Sequence, residues 1–455
     1  MIDTKAIEEF LYDRELRVKY QENLIKQYEN KTLVTVRINY PGVEKSNYIT
    51  DDIVNIIYEE INTYYRKYIV YDRKYKNKEG IIGHFLFNID FITVKRIMIE
   101  IEESHILGRC VDIDVYTYKD GEVIGISRSD LYKKSRKCFI CDLEAKICSR
   151  AQSHTIEEIK KYFEEMYKLY KKKDHEAEQL SYGISQLALK AMISEVSTHP
   201  SFGLVSPVSN GSHKDMDYYT FLDSAVAIAP FIKTMAKIGY TYHKPILIFE
   251  SIRKVGIQCE KGMFEATNNI NTHKGMIFLM GICASAVAKV LYEEKSFDDI
   301  KDTIKEMVVN ILDDFKNIHL KNNLTHGEKL YLNYGFTGIR GEVKNGLELV
   351  FDKILKEYEN TTVKRNSFYT QILIHLMSEV EDSTIVYRKD IDTLRWVQNS
   401  AKELLLIGGV NTTEGQIKIK ELEDEYIKNN ISPGGCADLL AVSIFLMEIK
   451  DKYYN

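Results

Sequence analysis

Neither of the common glycine-rich nucleotide fingerprints is present in this chain. GxxxxGK[ST] does not occur, nor does GxGxxG behind a strand, so any nucleotide chemistry must use another frame. A surplus of charge of one sign is also missing. With 62 basic and 67 acidic side chains the formal net charge is -5, which gives no general pull toward nucleic acid or an anionic membrane. Phosphate binding is left to local clusters, and neither nucleic acid nor membrane is expected as a partner. The longest strongly apolar run, Met276 to Ala288, is too short to span a bilayer. The N-terminus MIDTKAIEEFLYDREL is acidic and helix-forming where a secretory signal would carry an apolar core, so a cytoplasmic protein is the expectation. The cysteines number seven, which argues for thiols or metal ligands in a reducing compartment over a disulfide framework. No internal repeat or low-complexity segment stands out.

What is there is enough chain for two cores: 455 residues, 44% of them hydrophobic. The first half alternates helical and strand-like patterns. Residues 5–28 and 50–66 read as helices, 31–39 as a strand, and 109–118 as a strand turning at Lys119-Asp120-Gly121 into a second, which makes this half α/β or α+β. From about residue 155 the spacing becomes helical through a charged stretch that bridges the halves, and the boundary falls near 175, giving domains 1–175 and 176–455. Ser181 to Ser194, Phe221 to Lys237, Met276 to Tyr292, Phe297 to Ile318, Leu347 to Tyr358, Phe368 to Val380, Thr393 to Leu406 and Ala437 to Ile449 carry helical spacing. The second domain is therefore expected to be nearly all α, with its chemistry in polar loops and helix starts.

Three groups of residues have the composition of sites. Asn271, Thr272, His273, Lys274 and Gly275 stand directly ahead of the apolar run, where unsatisfied backbone N–H groups at a helix start favour an anion. Asp112 and Asp114 lie two apart on a strand and so share a face; two carboxylates there suit Mg²⁺ on a nucleotide's phosphates, or are a solvated strand face. Arg109 and Arg128 add donors for phosphate oxygens, or make surface ion pairs. Cys138, Cys141, Cys148 and His154 form C-x2-C-x6-C-x5-H, read as a tetrahedral Zn²⁺ site, as a cluster of buried thiols, or as a metal-free clamp on a helix.

With DRELRVKYQ (13–21), NYPGVEKSN (39–47), GRCVDIDV (108–115), GISRSDL (125–131) and RKCFICDLEAKICSRAQSH (136–154), residues 1 to about 170 resemble the citrate lyase holo-acyl-carrier-protein synthases, the apo-citrate lyase phosphoribosyl-dephospho-CoA transferases. The resemblance implies a nucleotidyltransferase-like domain that joins a prosthetic-group precursor to a serine of the apo acyl-carrier (gamma) subunit of citrate lyase, releasing pyrophosphate. It also implies a catalytic, metal and phosphate role for Asp112 and Asp114. Cys110 stands where a bulky aliphatic residue is more usual, a change of packing only. With EVSTHPSFGLVSPVSNGSHKDMDYYTF (195–221), IRKVGIQCEKGMFEATNNINTHKG (252–275), HGEKLYLNYGFTGIRGEV (326–343), LMSEVEDSTIVYR (376–388) and SPGGCADLLAVSIFL (432–446), residues from about 180 to 450 look like triphosphoribosyl-dephospho-CoA synthase. That resemblance implies a reaction of ATP with 3'-dephospho-CoA in which adenine leaves, so the two halves would run consecutive steps. Two departures stand out. The family's P-K-P-G-L-V-D loop is here Pro200 to Ser206, PSFGLVS, without the lysine and the acid, and Asn269 takes a place usually held by glycine, being the other residue that tolerates a left-handed backbone.

The reaction implied for the second half develops positive charge at the ribose anomeric carbon, which carboxylates suit, while one more takes the proton of the attacking hydroxyl. Glu260, Glu328 and Glu342 are the catalytic candidates, with Glu265 as a further acid; Asp215, Asp217 and Asp382 are candidates for Mg²⁺ on the triphosphate. Lys214, Lys274 and Arg340 are the phosphate clamps, and Gly338, in GFTGIRGE, lets backbone approach a ligand closely. His273 either caps its helix or meets a phosphate, and Asp438 reads as a structural acid in a first turn. Two other accounts stay open: a nucleotide-binding N-glycosidic hydrolase, with water replacing the CoA hydroxyl, and a zinc-bearing non-enzymatic adaptor or scaffold.

Overall fold

The computed structural model describes residues 4–316, 318, 324, 326–358 and 366–454, and its contacts divide the chain into Met1–Glu176 and Ala177–Asn455. The first unit runs α1 (Thr4–Gln27), β1 (Thr32–Ile38), α2 (Tyr48–Tyr65), β2 (Ile69–Asn77), β3 (Gly80–Phe87), α3 (Phe91–Ser104), β4 (Val111–Lys119), β5 (Glu122–Ile126) and α4 (Ala145–Ala151). Helix α5 (Ile156–Val196) contains the division point. Its five strands lie in the order β2-β3-β1-β4-β5 with every neighbouring pair antiparallel, so of the two fold classes the sequence allows, α+β is the one adopted. The β4–β5 turn falls at Asp120 and Gly121, both at positive φ, the conformation that an Asp-Gly hairpin favours.

Alternation along β1 sets the layers. Val34 and Val36 face α2, while α3 packs on β4; Tyr58 of α2 lies so close to Gly83, the partner of Val36, that a Cβ there would come within 2.6 Å of its ring. Thr35 and Arg37 face the other way, toward α1, where Gln21 donates to Thr35 Oγ1. That second face is polar at its centre. Arg17, 5% exposed, donates to Glu79 Oε1 at 2.7 Å, and the Thr35 hydroxyl sits 3.0 Å from His84 Nδ1. Strands β2 and β3 and helix α3 were not among the expected elements. β3, GIIGHFLF, is buried along almost its whole length and so reads as a short apolar run, which periodicity does not resolve.

The second unit continues with α6 (Tyr218–Gly239), α7 (Pro245–Ala266), α8 (Lys274–Tyr292), α9 (Asp299–Met307), α10 (His326–Tyr334), α11 (Ile339–Lys344), α12 (Leu355–Glu357), α13 (Ser367–Glu379), α14 (Ser383–Arg388), α15 (Ile391–Leu406), α16 (Thr413–Lys428) and α17 (Gly434–Tyr453). No strand occurs among its described residues, as the helical spacing implies. Helix α8 is the core: it is buried from Met276 to Val290 apart from Phe278 and packs against α6, α7, α9 and α17. Each large aliphatic side chain so placed contributes roughly 1.5–3 kcal/mol. Its 19 residues are long and apolar enough to cross a membrane by length and composition, but 78% of that window is buried inside the unit. Close approach is built in at Gly281, where a Cβ would lie 2.5 Å from the Met235 sulfur, and at Gly239, where it would lie 2.3 Å from the Ser285 carbonyl.

Two expected helices are altered. The one expected over 297–318 ends at Met307 and gives way to turns and a 3-10 segment, Asp313–Phe315, while residue 317 lies outside the described residues. The one over 347–358 starts late, after the left-handed Leu347 at φ 55°, and is a π-helical stretch, Leu349–Ile354, leading into α12. Helices α7 and α16 were not expected. α16 exposes most of its charged length and buries only Gly415, Ile419, Leu422 and Tyr426, a thin apolar stripe.

Candidate functional site

In the first unit β4 places Asp112 and Asp114 on the polar face, in register with Arg37 and Thr35 of β1. Each carboxylate is met by its own guanidinium: Arg37 Nη2 lies 2.7 Å from Asp114 Oδ2, and Arg136 Nη1 lies 2.7 Å from Asp112 Oδ1. Arg136 also reaches Glu102, 1% exposed, which Arg128 meets from the other side at 2.6 Å. Lys45 and Lys95 add positive charge around Asp112. Burial pushes the Asp112 carboxyl above its ordinary range against the pull of Arg37. Asp112 and Asp114 each keep one oxygen outside these bonds, and their side chains are 35% and 39% exposed, so the pair is held in place yet accessible.

The two arginines singled out from the sequence are placed differently. Arg128 is bound to Glu102 and Glu103, and Arg109 donates to the Lys137 carbonyl and lies 5.5 Å over the Phe139 ring. The cations on the aspartates are Arg37 and Arg136, which sequence reading missed. For Arg37 the signal was available, since the alternation that points Val34 and Val36 inward turns Arg37 to the opposite face. Cys138, Cys141, Cys148 and His154 come together, with ligand atoms all within 4.8 Å of one another.

In the second unit the start of α8 is the centre of the arrangement. Asn271 Oδ1 accepts from the Lys274 N–H at 3.3 Å, holding the first turn. His273 takes the N-cap position, but its side chain makes no cap; it turns inward, with Nδ1 2.7 Å from the Ser224 hydroxyl, which also accepts from Thr272. The ring stands edge-on to Phe221, its Nε2 is buried without a hydrogen-bond partner, and burial lowers its pKa to about 4, so it is neutral. Lys274 Nζ pairs with Glu260 Oε2 at 3.0 Å.

Two cavities meet at Gly275. One, of about 370 Å³, is lined by Glu260, Lys274, Arg253 and Arg340 over an apolar floor that includes Phe249 and Phe278. The other, of about 180 Å³, is lined by Glu195, His213, His273, Lys274 and Asp438. Neither Glu195 nor Asp438 has a side-chain hydrogen bond or ion pair among the described residues. Burial pushes both carboxyls well above the carboxylate range, with the Asp438 charge adding to the shift of Glu195 and that of Asp382 adding to the shift of Asp438. Asp438 is thus a cavity-lining acid, and it is not the first-turn acid expected: α17 starts at Gly434 and its first turn holds no acid. Glu195 opens the first of the second half's matching segments, but its place in a long helical pattern gave it no distinguishing signal. A third cavity, of about 320 Å³, holds Gly338, Glu342, Glu381 and Asp382; burial raises the Glu342 carboxyl, and Glu381 and Glu348 add to it.

The acids expected around one magnesium ion are not brought together as a ligand set. Asp217 caps α6 through the Thr220 N–H in a capping box, and Asp382 accepts from the backbone of Thr384, Ile385 and Cys436, tying α14 to α17. Asp215 and Lys214 are exposed. Among the described residues the group with three or more converging ligand atoms is the cysteine–histidine cluster. Glu328 is buried on α10 and lines none of these three cavities, and Glu265 is exposed beside Lys261. Arg340 lies 5.1 Å over the Phe315 ring, at the edge of the largest of the three. The PSFGLVS loop packs Phe202 against Tyr426 and lines the Glu195 cavity with Leu204 and Val205, while Asn269 adopts the left-handed backbone at φ 66°.

Similarity to known proteins follows the same division. The CitX family, described as apo-citrate lyase phosphoribosyl-dephospho-CoA transferase, matches residues 5–170, and the CitG family, described as ATP:dephospho-CoA triphosphoribosyl transferase, matches residues 181–455. "Protein CitXG" of Leuconostoc mesenteroides subsp. cremoris is 32% identical over 458 residues, 96% of each chain. The protein of the same name from Haemophilus influenzae is 30% identical over 460 residues, 98% of this chain and 96% of its own. A probable 2-(5''-triphosphoribosyl)-3'-dephosphocoenzyme-A synthase of Streptococcus equi subsp. equi is 36% identical over 288 residues, 59% of this chain and 97% of its own.

Proposed function

This chain belongs to the CitXG family, a CitX transferase domain followed by a CitG synthase domain, and on that premise we propose that it makes and then attaches the prosthetic group of citrate lyase. The observation that carries the reading is the tandem order of the two matches on one chain, with a cavity-lining set of acids in the second and a paired-aspartate strand in the first.

In the second unit the 2'-hydroxyl oxygen of 3'-dephospho-CoA attacks the anomeric carbon of ATP's ribose, the bond from that carbon to adenine breaks, and the proton lost by the hydroxyl is balanced by one gained by adenine. Lys274, Arg253 and Arg340 hold phosphate oxygens at the mouth of the larger cavity. Glu195 and Asp438, whose carboxyls burial keeps protonated, supply the proton that adenine gains; the carboxylate so formed faces the positive charge at the ribose carbon and takes up the proton lost by the attacking hydroxyl, while neutral His273 accepts or donates one hydrogen bond through its free Nε2. Glu260 positions Lys274.

In the first unit, read as nucleotidyltransferase-like, the serine hydroxyl of the apo acyl-carrier subunit attacks the innermost phosphorus of the triphosphate, and diphosphate leaves. Arg37, Arg136, Lys45 and Lys95 offset the phosphate charge, and Asp112 takes the serine proton. The free oxygen of Asp114 fits Mg²⁺, which would offset charge on the triphosphate, and that of Asp112 is left for the serine proton. The test is mass spectrometry of the apo carrier after incubation with this protein, ATP, 3'-dephospho-CoA and Mg²⁺, with adenine and diphosphate followed together. A carrier mass gain matching the phosphoribosyl-dephospho-CoA group is expected. Adenine release that proceeds equally without 3'-dephospho-CoA would overturn the reading in favour of a hydrolase.

A further inference from the structure

The segment from Arg136 to His154 folds without a core of its own. Ile140, Leu143 and Ile147 are 42%, 56% and 53% exposed, and Cys148 is the buried residue within 140–154. Its backbone is nonetheless defined. Cys138 N–H donates to the Leu143 carbonyl at 2.7 Å and Ala145 N–H to the Arg136 carbonyl at 2.8 Å, closing a small hairpin around Cys138 and Cys141. Helix α4 then supplies Cys148, and the left-handed Gln152 at its end turns the chain back so that His154 faces the hairpin. Small folded segments that lack apolar burial are commonly held by a cross-link or a metal.

The side chains converge as a metal would require. Cys141 Sγ lies 3.4 Å from Cys148 Sγ and 3.4 Å from His154 Nε2, and the four ligand atoms, Cys138 Sγ included, are within 4.8 Å of one another. Tetrahedral Zn²⁺, with its ordinary bond lengths to sulfur and imidazole nitrogen, needs ligand–ligand spacings of roughly 3.5–3.8 Å. A disulfide needs sulfurs at about 2.05 Å and would leave the third cysteine and the histidine without a reason to converge. We propose that Cys138, Cys141, Cys148 and His154 bind one structural Zn²⁺ ion. The ion closes a knuckle that fixes two groups at its base: Arg136, two residues before Cys138, which reaches Asp112 and Glu102, and the Lys137 carbonyl, which accepts from Arg109. The metal thereby sets the guanidinium that joins Asp112 to Glu102, without itself touching substrate.

The test uses untagged full-length protein purified without chelator. Elemental analysis should find about one zinc per chain; Cys141→Ser should lose it, and Cys259→Ala, in the other unit, should keep it. Titration of the native wild type with an organomercurial in the presence of a metallochromic dye should release that one equivalent, so the result does not depend on the variant folding. Replacement by Co²⁺ should give the visible absorption of a tetrahedral thiolate site. Zinc-free protein with all four side chains reactive, or an intact mass lowered by two hydrogens without metal, would overturn the proposal. Metal content is read independently of carrier modification, so failure here and failure of the proposed activity are distinguishable.

Discussion

Asp438 presses its carboxylate against the backbone of Gly275: a Cβ built on that glycine would lie 2.0 Å from Asp438 Oδ2. The first turn of α8 and the residue just past the first turn of α17 therefore meet at a point where no side chain larger than hydrogen fits, and an acid with no ion-pair partner among the described residues is held at the anion-favouring end of α8. Asp438→Asn should lower adenine release about 100-fold or more while leaving the unfolding midpoint nearly unchanged, since it replaces a buried, neutral carboxyl by an amide of the same shape that cannot give up a proton. Gly275→Ala should lower activity comparably by displacing that carboxylate. Steady-state adenine release and urea unfolding of both variants check this; an active, stable Asp438→Asn protein would remove Asp438 from the mechanism.

Lys274 makes an exposed pair with Glu260, and such pairs contribute about 1 kcal/mol or less to stability. Lys274→Met should therefore fold normally. If Lys274 holds phosphate equally in ground and transition states, the KM for ATP or 3'-dephospho-CoA should rise about tenfold or more with kcat little changed. A fall in kcat at unchanged KM would instead place this lysine at the reacting bond.

Arg136 separates the two units experimentally. Arg136→Ala leaves Glu102, 1% exposed, with Arg128 as its partner and frees Asp112, at a cost of about 2–3 kcal/mol in the first unit. Carrier modification should fall steeply while adenine release stays at the wild-type rate. Arg136→Lys should not restore it, because a single ammonium does not bridge two carboxylates as a guanidinium does.

His273 gives a pH dependence with a definite sign. Its folded-state pKa, about 4, lies below the ordinary value of 6.5, so the unfolded chain takes up a proton that the folded chain does not. The stability this contributes is present above about pH 6.5 and is lost as pH falls toward 4, by about 3 kcal/mol at most. Glu195 and Asp438 act in the opposite sense: their raised carboxyls stabilise below the ordinary carboxylate pKa and lose that contribution as pH rises through the folded values. His273→Asn should flatten the fall in the urea midpoint between pH 6.5 and 4.5; an unaltered slope would show that the histidine titrates normally.

Legibility tracked periodicity. Helix α8, strands β1 and β4 and the Asp-Gly turn follow from apolar spacing and turn chemistry within a few residues. Strand β3 did not, because burial on both faces erases the alternation that identifies a strand, and α16 did not, because its apolar stripe is four residues among charges. For the sites, local motifs located Asp112, Asp114 and the start of α8, all of which border charged clusters or cavities. The partners from distant strands and helices were not legible: Arg37 and Arg136 reach the aspartates across 77 and 24 residues, and Glu195 meets His273 and Asp438 only through the packing of α5, α8 and α17. Asp217 and Asp382 show the reverse, acids in promising motifs that backbone N–H groups have already claimed.

Strand β2, at one border of the sheet, reads IVYDRKYKN and exposes Arg73, Lys74 and Lys76. A second copy laying its own β2 alongside would bring these cations against their counterparts, and β5 at the opposite border is only five residues long. Strand-by-strand pairing of copies through this sheet is thereby opposed at both margins.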